Sequence, residues 1–99
     1  MGKFNSCVTA DTLTFFFEGE LDTLFCMEIE EKVLTQIKIH KGKVVLDLKG
    51  VEYIASSFIR LCGSAASLVG ANNMTVSNMN KEIKKNLTKI GLASVLNIK

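Results

Sequence analysis

Residues 43–58 of this chain read KVVLDLKGVEYIASSF, and this stretch decides the fold because a strand, a tight connection and a helix start follow one another in it. Lys43–Leu48 is a nearly continuous run of β-branched and aliphatic residues, which is typical of a central strand buried on both faces. Val51–Ile54 brings the backbone to a pair of serines, Ser56 and Ser57. The sequence therefore predicts a buried strand that delivers two hydroxyl groups to the start of a helix.

Downstream of this stretch the chain alternates between helical and extended patterns. A helix is predicted from Ser57 to about Ala71, since apolar residues recur there at helical spacing and small residues permit close approach to a sheet. The further predicted elements are a short strand at Met74–Ser77, a third helix marked by Ile83, Leu87 and Ile90 and capped by Gly91, and a last edge strand at Val95–Ile98.

Upstream, Lys3–Thr9 and Thr12–Glu18 are rich in Phe, Val and Thr, and they predict an antiparallel hairpin around Ala10-Asp11. The end of the second run is apolar on both faces, which indicates a strand covered on both sides. Gly19–Asp22 is expected to break that strand. A helix then follows to about Ile39, and its buried stripe is formed by Phe25, Ile29, Val33 and Ile37.

The order of elements predicts an α/β fold in a single domain over residues 1–99, which is enough chain for one core. Strands that alternate with helices imply a mixed, mostly parallel sheet, with the N-terminal antiparallel hairpin at its edge and the helices mainly on one face. Functional sites in such sheets lie at the carboxyl ends of the strands. Two loops qualify, residues 19–23 and residues 53–58, and we expect them to be neighbours.

Composition argues against several classes of function. The net charge is only +2 and the signs are interspersed, which is not typical of a dedicated nucleic-acid binder. Cys7, Cys26 and Cys62 are spaced without a pattern, so we expect reduced, buried thiols rather than disulfides or a zinc site. No signal sequence or membrane-spanning run is apparent, which favours the cytoplasm and no membrane insertion. The sequence contains no phosphate-binding loop and no cluster of metal ligands, so we expect no cofactor.

Three local patterns occur in the same chain order as the predicted elements: Gly19–Asp22, the run from Val45–Leu48 through Val51 and Tyr53-Ile54 to Ser56-Ser57, and Ile83, Leu87 and Ile90–Leu92. At these spacings they resemble the STAS domain, the family of sulfate transporters and anti-sigma factor antagonists. The resemblance covers nearly the whole chain from about Thr12 onward, and the branch that the chain resembles most is that of the bacterial anti-anti-sigma factors.

The resemblance implies a function for the serine pair. In that branch a loop of the form Asp-Ser-Ser/Thr-Gly is phosphorylated by a partner anti-sigma factor with serine kinase activity, and the first hydroxyl residue is the acceptor. Here the acceptor position is Ser56, while the family's Asp is Ala55 and the family's Gly is Phe58. The implied protein is an anti-sigma factor antagonist, a phosphoprotein in transcription regulation. It binds the anti-sigma factor when unmodified, releases it when phosphorylated and is reset by a serine phosphatase.

Physical chemistry supports a switch at Ser56 independently of the family. A phosphoserine carries about −1.5 to −2 charges at neutral pH, and a helix N-terminus offers it free N–H groups and a favourable dipole. The simpler interpretation is that Ser56 or Ser57 only caps the helix, with Ser57 the better candidate for that role.

Further partner-binding residues are expected around Ser56, and the adjacent Ser57 is one of them. Asp22 lies in the neighbouring loop, where the family has an acidic residue, although it is equally a candidate helix cap. Glu20 is a weaker candidate, Phe58 is expected to protrude as an apolar anchor, and Arg60 faces either solvent or a partner.

Two other functions stay open at this point. The first is an interaction module of a transporter or signalling scaffold without sigma-factor control, which the changed residues Ala55 and Phe58 favour. The second is an enzyme with Ser56 as nucleophile. It would need an oriented base, and His40, the only histidine, is distant in sequence and lies at a predicted helix end. We therefore expect a binding module rather than an enzyme.

Overall fold

The computed structural model describes residues 2–40, 42–89 and 97–98. Its elements, in chain order, are strand β1 (Lys3–Thr9), strand β2 (Thr12–Leu21), helix α1 (Thr23–His40), strand β3 (Lys43–Ile54), helix α2 (Ser56–Val69), a 3-10 turn (Ala71–Asn73), strand β4 (Met74–Ser77), helix α3 (Lys81–Lys89) and strand β5 (Asn97–Ile98). The five strands form one sheet in the order β1-β2-β3-β4-β5, in which β1 is antiparallel to β2 and the other pairs are parallel. The predicted mixed α/β sheet is thus confirmed.

The N-terminal hairpin forms as the sequence predicts. Its register runs without interruption from the pair Lys3 and Glu18 to the pair Thr9 and Thr12. A two-residue loop joins the strands, and Ala10 adopts a left-handed conformation there with φ of 55°. The hairpin lies at one edge of the sheet, where β1 pairs with no other described strand.

Strand β2 does not stop at Gly19, as the sequence had predicted, but continues to Leu21. Gly19 has a φ of 79°, and the pairing with β3 shifts its register between Gly19 and Glu20. A positive φ costs glycine little, so this residue accommodates a bulge within the strand. The predicted strand break is therefore a bulge, and β2 reaches farther toward the candidate site.

The helices cover mainly one face of the sheet, as predicted. The prediction that β2 and β3 are buried on both faces is wrong, because alternate residues of both strands are at least partly exposed. On β3, for example, Leu46 and Leu48 are buried, while Asp47 is half-buried and Lys49 is exposed. A run of apolar residues on a strand thus need not mean two covered faces when charged residues continue the alternation.

The core lies between the covered face of the sheet and the helices. From α1 it receives Cys26, Ile29, Val33 and Ile37, while Phe25 of the predicted stripe is only partly buried. Helix α3 contributes Ile83 and Leu87, as predicted. The predictions for Ile90, Gly91 and residues 95–96 lie outside the described residues. Cys26 and Cys62 are buried free thiols as expected, whereas Cys7 is exposed, contrary to the prediction.

Candidate functional site

The two predicted functional loops are neighbours at the carboxyl ends of β2 and β3. Leu21 pairs with Ile54 at the end of the parallel ladder. The next residue, Ala55, donates its backbone N–H to the Leu21 carbonyl at 2.9 Å. Asp22 follows Leu21 directly and Ser56 follows Ala55, so both candidate residues come immediately after this hydrogen-bonded pair at the edge of the sheet. The expectation from strand topology is confirmed.

Helix α1 begins with a side-chain cap. The Asp22 carboxylate accepts a hydrogen bond from the Phe25 N–H at 2.8 Å, which satisfies one of the free donors of the first turn. Helix α3 begins in the same way, since the Asn80 side chain accepts from the Ile83 N–H at 2.8 Å. The interpretation of Asp22 as a helix cap is confirmed, and its carboxylate is still exposed to a partner.

Helix α2 begins without such a cap. Its N-cap residue is Ala55, in an extended conformation with φ of −89° and ψ of 166°, and no side chain of the described residues accepts a hydrogen bond from the first turn. Ser56 is the first helical residue and is exposed. The prediction that Ser56 or Ser57 caps the helix is therefore wrong, because the capping position falls one residue earlier, on a side chain that has no acceptor. The first turn of α2 keeps its partial positive charge uncompensated.

Ser57 turns into the protein and is only 9% exposed. Its Oγ is buried and has no hydrogen-bond partner among the residues that the structure describes. Burial raises the pKa of the nearby Cys26 thiol, and the Ser57 hydroxyl opposes this effect only in part. The contact between hydroxyl and thiol falls short of hydrogen-bond geometry. As a consequence, neither group is available at the surface to a partner or to a kinase.

Phe58 is also buried, with 0% exposure, so the prediction that it protrudes as an apolar anchor is wrong. Its ring meets that of Phe17 edge to face, with centroids 5.3 Å apart and an angle of 80° between the planes. Phe58 shares helical spacing with Leu61, Cys62 and Ala65, which are also buried and form the apolar stripe of α2. Phe58 therefore anchors the start of α2 in the core rather than a partner on the surface.

Four of the six predicted site residues are exposed, namely Glu20, Asp22, Ser56 and Arg60. Arg60 follows Ser56 by four residues on α2, so the two side chains lie on the same side of the helix, one turn apart. Glu20 lies near the end of β2 and Asp22 in the loop that follows, at the same edge of the sheet as Ser56. This edge therefore carries exposed charges of both signs.

Two exposed apolar residues at this end of the molecule were missed by the sequence analysis. Leu24 and Met27, in the first two turns of α1, are 67% and 65% exposed. The available signal was that both lie off the buried stripe of the helix and are nevertheless large and apolar. Together with Asp22, Ser56 and Arg60 they form a surface that we call the entry surface, because both helices begin there.

His40 lies at the opposite end of the sheet from the entry surface. Its Nε2 is 2.8 Å from the Asp11 carbonyl, beside the hairpin turn where β2 starts. The ten residues of β2 separate that turn from Leu21, which corresponds to about 30 Å. His40 therefore cannot act as a base for Ser56. Within residues 2–40, 42–89 and 97–98, no group of three or more His, Cys, Asp or Glu side chains could hold a metal ion.

Helices that are long and apolar enough to cross a membrane do not occur in the described part of the chain. Fold and site together define a small α/β domain with helices mainly on one face of a mixed sheet and an exposed serine at the start of its second helix. The sequence profile of the STAS domain matches residues 4–99, and the chain belongs to this family. No curated protein matches the sequence.

Several solved structures share the fold. The unphosphorylated form of the anti-sigma factor antagonist SpoIIAA is 18% identical, with 98% of this chain and 87% of that chain covered and a TM-score of 0.75. The phosphorylated form of the Bacillus cell fate determinant SpoIIAA is 20% identical, with coverages of 98% and 91% and a TM-score of 0.74. An anti-sigma factor antagonist from Mycobacterium paratuberculosis is 14% identical, with coverages of 99% and 85% and a TM-score of 0.86.

Proposed function

We propose that this protein is an anti-sigma factor antagonist that binds an anti-sigma factor with serine kinase activity and is switched off by phosphorylation of Ser56. The observation that carries the proposal is the exposed Ser56 hydroxyl at the uncapped start of α2, beside the Asp22 loop. Membership of the STAS family and the fold shared with SpoIIAA support it.

The site is suited to receive a phosphoryl group. In the proposed reaction, the Ser56 Oγ attacks the γ-phosphorus of ATP held by the kinase, the hydroxyl proton passes to a base of the kinase, and ADP leaves. The product carries about −1.5 to −2 charges at neutral pH. The first-turn N–H groups of α2, which no side chain caps, can then donate to the phosphate oxygens, and the helix dipole favours the charge. The modification is therefore tolerated by the fold.

Binding is the property that the phosphate changes. In the unmodified protein, Leu24 and Met27 offer a partner apolar contact area on the entry surface. A phosphate on Ser56 places a strongly hydrated charge in the same surface, so a partner that packs against it must desolvate that charge. An acidic partner surface would in addition be repelled. A serine phosphatase that removes the phosphate restores the binding form.

In this proposal the protein is a substrate and a binding module in the cytoplasm, without a cofactor, and not an enzyme. His40 is at the far end of β2 from Ser56, so among the described residues no histidine is placed to activate the serine. Contacts with DNA and with the membrane interior are not part of the proposed function.

A second candidate function is an interaction module of a transporter or signalling scaffold without sigma-factor control. One observation favours it: Ala55 offers no carboxylate beside the acceptor, where the related loops have one. The change at Phe58 no longer favours this candidate, since the phenylalanine is in the core and leaves the surface that a kinase would meet unaltered.

The test combines the protein with ATP and the anti-sigma kinase of its own host. Mass spectrometry should locate one phosphate on Ser56, and phosphorylation should weaken binding of the kinase by about tenfold or more, because one buried unpaired charge costs at least 1.4 kcal/mol. Ser56→Ala should abolish the modification and retain binding.

Ser57→Ala is the matched control, because it removes the adjacent hydroxyl from the interior and should leave the modification intact. A phosphate on another residue, or none with a kinase that binds the protein, would refute the proposal. Capture of a membrane transport complex from the host, in place of an anti-sigma kinase, would establish the second candidate.

A further inference from the structure

The outer edge of β1 is a long strand edge without a partner among the described residues. Strand β1 pairs only with β2, and six of its seven residues are exposed, with Phe4 half-buried. Proteins commonly protect such edges with a bulge, a proline or several charges. Here the register with β2 is uninterrupted, the chain contains no proline, and Lys3 is the only charged residue of the strand. The edge is therefore open to pairing with another strand.

The hairpin geometry determines which residues of β1 offer their backbone groups. A two-residue loop is closed by the hydrogen-bonded pair Thr9 and Thr12, and hydrogen-bonded and non-bonded pairs alternate along an antiparallel ladder. The N–H and C=O groups of Phe4, Ser6 and Val8 therefore point away from β2. These three residues are the ones that an added strand would meet.

The side chains of the same three residues make the edge self-complementary. We propose that β1 pairs antiparallel with β1 of a second copy of this chain, with Ser6 opposite Ser6 on the two-fold axis. In this register Phe4 of each copy lies opposite Val8 of the other, and Val8 is 60% exposed in the single chain. Both apolar side chains lie on the helix-covered face of the sheet. The backbone groups of Phe4, Ser6 and Val8, which point away from β2, all take part in the new ladder.

Neighbouring groups favour this register. The Ser6 Oγ donates to the Gln36 side chain of α1 at 2.8 Å, so the residue on the axis needs no partner for its hydroxyl. Ile39 lines a shallow cavity of about 400 Å³ together with Val8, and it adds exposed apolar surface beside the incoming Phe4. Ser56 follows β3, two strands from the edge, so the dimer would present two entry surfaces at once.

Cysteine cross-linking tests the register, since Cys7 is exposed on β1. In the proposed pairing Cys7 lies opposite Asn5 of the other copy, in a non-hydrogen-bonded pair whose Cα atoms are about 4.5 Å apart, within the reach of a disulfide. Asn5→Cys should therefore give, on mild oxidation, a dimer with two bridges between positions 5 and 7. The wild-type protein, with two Cys7 residues diagonal at about 7–8 Å, should not form this bridge.

Sedimentation velocity over a concentration series, under reducing conditions, tests the association itself. The wild-type protein should show a dimer fraction that rises with concentration. Val8→Lys should lower the association constant by about tenfold, because it removes an apolar pair and adds a charge twice per dimer. Leu24→Lys is the matched control, since it places the same charge on a similarly exposed apolar residue away from β1 and should leave the association unchanged.

Three results would overturn the proposal: a monomer at all concentrations, equal effects of Val8→Lys and Leu24→Lys, or bridges in Asn5→Cys that link position 5 to 5 or 7 to 7. Phosphorylation of Ser56 does not enter the test, so the outcome is independent of the proposed function.

Discussion

The two helices that border the entry surface begin in different ways. The start of α1 is held by a polar contact, because the Asp22 carboxylate accepts the Phe25 N–H at 2.8 Å while Leu24 next to it is exposed. The start of α2 has no side-chain cap at Ala55, and it is held by burial, because Ser57 and Phe58 both enter the interior.

This difference assigns separate tasks to neighbouring residues. At α1 the Asp22 carboxylate accepts a hydrogen bond from one of the first-turn donors, and its negative charge compensates the positive end of the helix dipole. At α2 packing supplies the stability, and no described side chain accepts a hydrogen bond from the first turn, in which the Phe58 N–H donates to the Ala55 carbonyl at 3.0 Å.

Truncation of the packed residue should have the largest effect. Phe58→Ala removes a fully buried ring in contact with Phe17, so we expect the free energy of unfolding to fall by about 3–5 kcal/mol. Urea denaturation followed by far-UV circular dichroism would measure this. Leu24→Ala, on the exposed side of α1, should change the free energy by less than about 0.5 kcal/mol. A loss below that limit for Phe58→Ala would mean that α2 is not held by packing.

Removal of the cap of α1 and addition of a cap to α2 should have effects of intermediate size and opposite sign. Asp22→Ala removes the cap of α1 and should lower the free energy of unfolding by about 1 kcal/mol, whereas Ala55→Asp supplies a cap to α2 and should raise it by about 1 kcal/mol. The same denaturation curves at neutral pH measure both. Asn80→Ala serves as the control for a cap on the third helix. If Ala55→Asp brings no gain, burial of the new carboxylate at this position, which is only 7% exposed, offsets the cap.

Removal of the buried hydroxyl should have the smallest effect. The Ser57 Oγ has no hydrogen-bond partner among the described residues, so Ser57→Ala leaves no polar group newly unsatisfied. We expect the free energy of unfolding to stay the same or to rise by up to about 1 kcal/mol. A loss of about 1 kcal/mol in this variant, as for a true cap, would show that the hydroxyl is satisfied in solution and that the two helix starts are alike.

Most of the fold could be predicted from the sequence because strand and helix periods differ and turn residues separate them. The hairpin bounds at Thr9 and Thr12 and the strand at Met74–Ser77 agree with the structure to the residue. The error in the length of β2 has a physical reason, that a tertiary contact overrides a local signal. Gly19 indicated a break but is a bulge, since pairing with β3 continues past it to Leu21.

The candidate site was less predictable than the fold. The proximity of Asp22 and Ser56 follows from strand order, which the periodicity reveals. Phe58 shares helical spacing with Leu61, Cys62 and Ala65, which are all buried, so the periodicity of α2 already indicated that Phe58 belongs to the core. The cap could not be predicted in this way, because it depends on whether α2 starts at Ser56 or Ser57, and helix ends are the least certain part of a sequence-based prediction.

The packing of Phe58 between α2 and β2 limits how far the start of α2 can move. Close-packed interiors resist small displacements, so the start of α2 cannot tilt without opening the contact between Phe58 and Phe17. Under the proposed function, phosphorylation of Ser56 would then change binding through charge and desolvation at the surface rather than through movement of the α2 backbone.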